Sequence, residues 1–134
     1  MSLDFSSFRK ALKTLDEALE LAEREPANDI VISAVIQRFE YSFELAWKML
    51  KRQLEHEVPV PARVDTFSYR ELIREGIERG LLDDFEAWIT YRSQRNLSSH
   101  TYNEHNAQQV FQSARNFAPA ARRLLESLEN RHAA

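Results

Sequence analysis

Apolar residues recur at three-and-four spacing through most of the chain, so the dominant period is helical. From Asp4 to about Arg24 they fall at Phe5, Phe8, Leu12, Leu15, Leu19 and Ala22, one stripe on one helical face. Pro26 ends that run. A longer helix is predicted from Asn28 or Asp29, either of which can cap it, with Val35, Ile36, Phe39, Phe43, Ala46, Trp47, Leu50 and Leu54 on its buried side. Glu57 to Arg63 contains Pro59 and Pro61, cannot continue a helix, and reads as a connection.

Ser68 followed by Glu71 is a capping box, opening a short helix that carries Leu72, Ile73 and Ile77 inward until Gly80 stops it. Asp83 and Asp84 open a fourth helix with Phe85, Trp88 and Ile89, expected to end or become irregular near Ser98 and Ser99. Asn103 is placed to cap a fifth, with Glu104 in its first turn and Val110, Phe111, Ala114, Phe117, Leu124, Leu125 and Leu128 inside. Pro119 is expected to kink or split it. The pattern predicts an all-α protein: an antiparallel four-helix up-and-down bundle with an additional short helix.

Composition narrows the class. A length of 134 residues suits one domain, 1–134, with a real core, and two glycines and four prolines agree with helices. The absence of cysteine removes disulfides, thiolate metal sites and a cysteine nucleophile, and agrees with a reducing cytoplasm. Nothing approaches the ~20 apolar residues of a membrane span, so no membrane partner is expected. A formal net charge of -3 disfavours a broad basic surface for nucleic acid and makes any RNA contact local.

The densest chemistry lies in Arg95-Asn96-Leu97-Ser98-Ser99-His100-Thr101-Tyr102. Arg95 offers a planar fork of donors suited to phosphate, and His100 titrates near neutrality. Asn96 can orient either, and the Tyr102 phenol can itself accept a transferred group. At about 100° per residue, Arg95 and His100 stand roughly 140° apart on an ideal helix and cannot address one phosphate. Either the helix deforms near Ser98 and Ser99, or two copies of the chain pool their residues as a homodimer.

Arg95, four intervening residues, His100, one residue and Tyr102 resemble the signature of HEPN domains, helical partners of minimal nucleotidyltransferases. Further blocks, Phe39-Glu40-Tyr41-Ser42-Phe43-Glu44-Leu45-Ala46-Trp47-Lys48 and Arg74-Glu75 before Gly80-Leu81-Leu82-Asp83-Asp84, are similar to the nucleotidyltransferase substrate-binding protein subfamily. The resemblance covers nearly the whole chain. It implies a bundle of four long helices, usually dimeric, encoded beside a minimal nucleotidyltransferase. It also implies a metal-independent endoribonuclease in a toxin–antitoxin pair: Arg95 and His100 catalytic, Asn96 supporting, and Tyr102 the residue to which the partner attaches AMP. The alternative the subfamily label suggests is a non-catalytic subunit that binds substrate for the nucleotidyltransferase. The chain departs from the family's pattern at Gln94, where an acidic residue often precedes the arginine, so charge pairing to orient Arg95 is not expected from that position.

Other features read structurally. Glu40, Glu44 and Lys48 lie on one helical face, and Glu44 before Lys48 is the favourable order for a helical ion pair. Phe39, Phe43, Trp47, Phe85, Trp88 and Phe117 follow core spacing and read as packing and not as a base-stacking platform, while Tyr41 and Tyr91 are candidates for places near a cleft. His100, Glu104 and His105 lack the paired helical histidines of zinc motifs, and no metal is expected. No glycine-rich phosphate loop occurs, so no nucleotide cofactor is expected.

Overall fold

The computed structural model of the chain describes residues 3–98 and 104–132, the side chains of 104 and 105 aside. Among the described residues all regular structure is helical, in the order α1 (Ser6–Arg24), α2 (Asp29–Glu57), a 3₁₀ helix (Pro61–Thr66), α3 (Tyr69–Glu78), α4 (Phe85–Ser98) and α5 (Glu104–His132). The expected four long helices and one short one are present, and His100, Tyr102 and the proposed Asn103 cap lie outside the described residues.

Local chemistry explains most boundaries. The Asn28 carboxamide accepts from the backbone N–H groups of Ile30 at 3.0 Å and Val31 at 3.4 Å, so α2 begins beside Pro26 with two of its four orphan donors met. Pro59 stops it. Pro61 then occupies the first position of the 3₁₀ helix, where its missing N–H is harmless. That turn refines the connection expected from the prolines. The Ser68–Glu71 capping box forms in both directions, at 3.2 and 3.1 Å. Gly80, at φ +77°, closes α3 with a Leu81 N–H to Gly76 C=O bond of 2.8 Å, a left-handed step that glycine makes without steric cost. Asp84 opens α4, its carboxylate accepting from Ala87 N–H at 3.2 Å.

Pro119 does not split α5, which runs unbroken from Glu104 to His132. Both Pro119 and Arg115, whose carbonyl loses its donor, sit on the exposed face. Water can therefore replace the missing bond.

Consecutive long helices run antiparallel. Ion pairs from Arg9 to Glu129 and from Arg122 to Asp16 set α1 against α5, and Asp83–Arg123 with Tyr91–Asn116 does the same for α4 and α5. α2 and α5 thus point the same way and touch across the bundle. Phe117 fills the centre, edge-on to Phe39 (5.3 Å between centroids), Tyr91 (5.4 Å), Trp88 (5.9 Å) and Phe43 (6.1 Å). One continuous core joins residues from Phe5 to Leu128.

Candidate functional site

α4 packs across α2 and directs Arg95 at two carboxylates one helical turn apart, Glu40 and Glu44. Arg95 Nη1 is 3.5 Å from Glu40 Oε2, and Nε is 3.6 Å from Glu44 Oε1. Both separations are ion pairs and too long for hydrogen bonds. Nε is shut off from solvent and has no hydrogen-bond acceptor among the described residues. A guanidinium held this way is oriented by charge without a hydrogen bond to either carboxylate, so a phosphate approaching its Nη side from the cleft can compete for it. Where Gln94 left the pairing of Arg95 unaccounted for, α2 supplies it.

This changes the reading of the glutamate row. Glu44 is not paired with Lys48 among the described residues: it faces Arg95 and accepts from Trp47 Nε1 at 3.2 Å, while the Lys48 ammonium lies 5.8 Å from the Trp47 ring centroid. A partly buried guanidinium on another helix competes better for Glu44 than an exposed neighbour on its own, because the field there is less screened.

Beside Arg95 opens a cleft of about 370 Å³ between α2, the 3₁₀ helix, α3 and α4. Arg95, Asn96 and Arg92 line it from α4, and Glu44, Trp47 and Lys51 from α2. Tyr69, at the start of α3, donates its hydroxyl to Trp88 C=O at 2.8 Å and carries the Arg92 guanidinium 4.8 Å over its ring. Burial pushes the Tyr69 phenol well above its ordinary pKa, against the opposing charge of Arg92. Lys51 reaches Asp65 at 3.0 Å and ties the 3₁₀ helix to α2.

Of the sequence-predicted site residues, Arg95 and Asn96 share this cleft, and His100 and Tyr102 lie outside the described residues. Tyr91 is core: it is buried and donates to Asn116 C=O at 3.3 Å. Tyr41 is 58% exposed. Trp47 and Phe85, read as core, are half-buried; Trp47 lines the cleft and Phe85 lies under the guanidinium groups of Arg70 and Arg74. Arg92, Lys51, Asp65 and Tyr69 were not singled out in the sequence. The spacing of Arg92 and Arg95, one turn apart on one helix, was the available signal. No group of three or more metal-binding side chains occurs among the described residues, and none of the described helices is long and apolar enough to cross a membrane.

Residues 3–130 match the family model described as nucleotidyltransferase substrate binding protein like. The chain belongs to this family. A relative named probable ribonuclease HepT, from Haemophilus influenzae, is 35% identical over 104 residues, spanning 78% of this family member and 71% of the relative. The solved structure of HI0074 from the same species, described as revealing the fold of a substrate binding domain of a nucleotidyltransferase, superposes with a TM-score of 0.89 at 28% identity, covering 94% of this chain and 99% of that one. A crystal structure of a Thermus thermophilus protein matches with a TM-score of 0.75 at 32% identity, over 90% and 98% of the two chains. The helical bundle is therefore the family's own fold, and the Arg95 cleft lies within the shared part.

Proposed function

We propose that this family member is the HEPN half of a two-gene cytoplasmic module, a single-domain metal-independent endoribonuclease silenced when a minimal nucleotidyltransferase partner attaches AMP to Tyr102. The observation that carries the reading is the setting of Arg95: oriented by Glu40 and Glu44, beside Asn96 and a cleft, on the helix that leads toward His100. The ribonuclease name of the Haemophilus relative and the nucleotidyltransferase in the description of HI0074 support the two halves of the proposal.

Cleavage of this kind needs a base to take the 2'-hydroxyl proton, an acid to protonate the departing 5'-oxygen, and positive charge over the pentacoordinate phosphate. Arg95 supplies the charge. His100 supplies the proton transfers, one copy from each chain of a homodimer acting as base and acid, which removes the angular conflict between Arg95 and His100 within one helix. AMP on Tyr102, two residues from His100 in sequence, would add a bulky anion close along the chain to the proposed catalytic histidine.

His100→Ala is expected to abolish RNA cleavage while leaving helicity and dimerisation intact, and cleavage retained in a clean preparation would overturn the catalytic assignment. Incubation with the neighbouring nucleotidyltransferase and ATP is expected to add one AMP mass to a peptide containing Tyr102. A second reading, a non-catalytic subunit that binds substrate for the nucleotidyltransferase, is favoured by the two carboxylates that already balance Arg95. Toxicity on expression alone, relieved by coexpressing the partner, separates the two.

A further inference from the structure

We infer that the cleft beside Arg95 is a nucleotide subsite, in which the base adjoining the scissile phosphate of a single-stranded RNA stacks on Trp47 while Arg92 and Lys51 take the neighbouring backbone phosphate. The inference rests on the reading of Arg95 as a phosphate-binding residue and extends it to how substrate is held.

Size and lining both point to one nucleotide. A volume of about 370 Å³ lies in the lower part of the ~300–1,000 Å³ span of small-molecule sites, far more than a bare phosphate fills and far too little for a duplex. The walls combine two chemistries: the aromatic side chains of Trp47 and of Tyr69, whose ring carries Arg92, and the cations Arg92, Arg95 and Lys51, of which Arg95 and Lys51 face the carboxylates of Glu44 and Asp65. Aromatic platforms beside cationic grooves are how single strands are bound, because every base has a face to stack and every linkage a charge to meet.

The platform is also fixed in advance. Glu44 anchors the Trp47 indole at 3.2 Å, and Trp88 C=O anchors the Tyr69 hydroxyl at 2.8 Å. Little side-chain freedom is left to lose when a base arrives. Glu44 holds the indole and faces Arg95 at the same time, so the stacking platform and the phosphate-binding cation are positioned together. Base and phosphate are thereby read through one carboxylate.

The test uses the full chain with a five-nucleotide RNA carrying 2'-O-methyl groups, which cannot be cut, and with AMP as a free nucleotide. The indole N–H resonance of Trp47, assigned by its loss in Trp47→Phe, is followed during titration. The RNA is expected to shift it saturably and AMP far more weakly. Trp47→Ala is expected to weaken RNA binding roughly 5- to 150-fold, the loss of one stacked base. Arg92→Gln, at an exposed position that does not threaten the fold, is expected to weaken it too and to reduce the salt dependence by about one phosphate contact. RNA binding that leaves the Trp47 resonance unmoved and is equally tight in Trp47→Ala overturns the inference. AMP binding as tightly as the RNA also overturns it, by marking a site for free nucleotide. If the Trp47 response appears but wild-type protein cuts no RNA, the proposed nuclease falls and the subsite stands; if cleavage is intact and Trp47→Ala changes neither affinity nor cut-site preference, the reverse holds.

Discussion

Replacing both Glu40 and Glu44 by glutamine keeps the size and polarity of the side chains and removes the charge that orients Arg95. At 3.5 and 3.6 Å, each pair has a gross attraction of about 5 kcal/mol at an effective dielectric of ~20 and about 1 kcal/mol at that of water. The three side chains are 26%, 27% and 35% exposed, so solvent screens the pairs and the cost of desolvating and ordering them offsets most of the rest. A net contribution of about 1 kcal/mol per pair, near the top of the range for exposed pairs, corresponds to roughly fivefold each. Loss of orientation is expected to lower kcat for RNA cleavage by about 5- to 30-fold in the double variant. Removing two negative charges beside the phosphate path is expected to lower KM at the same time. Steady-state kinetics on a short RNA at two salt concentrations separate the effects. A double variant with unchanged kcat, or one whose KM rises, refutes the reasoning that these carboxylates position Arg95.

Phe117→Ala removes the ring shared by Phe39, Phe43, Trp88 and Tyr91 and is expected to destabilise the fold by about 3–5 kcal/mol, read from urea unfolding; a loss under about 1 kcal/mol would mean the centre of the bundle collapses around the gap. Burial raises the phenol pKa of Tyr69, and of Tyr91 likewise, so the folded chain keeps protons that the unfolded chain releases above about pH 10. The stabilisation is complete below that pH and is lost above it, by at most about 1.4 kcal/mol per pH unit for each group. Tyr69→Phe is expected to flatten this alkaline decline, and an equal slope in both proteins would exclude Tyr69 as its source.

What could be read from the chain in advance was what is local to it. The Asn28 cap, the Ser68–Glu71 box and the Gly80 stop each depend on partners within a few residues, and each forms as the spacing implies. The 3₁₀ helix was hidden because Pro59 and Pro61 announce only that α2 must end, and leave the path of the chain beyond it open. At the site, Arg95 and Asn96 could be named from residue type and resemblance. The orienting pair could not, because Glu40 and Glu44 are more than fifty positions from Arg95 in sequence and meet it only once α4 lies across α2. Local reasoning assigned Glu44 to Lys48, the partner within helical reach, and the tertiary partner won. Trp47 and Tyr91 exchanged expectations for the same reason: periodicity tells which face of a helix is apolar, but the rim of that face becomes core or cleft according to where the neighbouring helix stops covering it.

The antiparallel pairing of α1 with α5 brings Phe5 and His132 into ring contact at 5.4 Å, so the first and last turns of the bundle sit side by side. A molecule tethered near these two points in optical tweezers would be loaded like a zipper and not in shear, opening from that end as the Arg9–Glu129 pair parts before Arg122–Asp16. Fluorophores attached at the same points would report integrity directly, their energy transfer falling as the first and last turns separate.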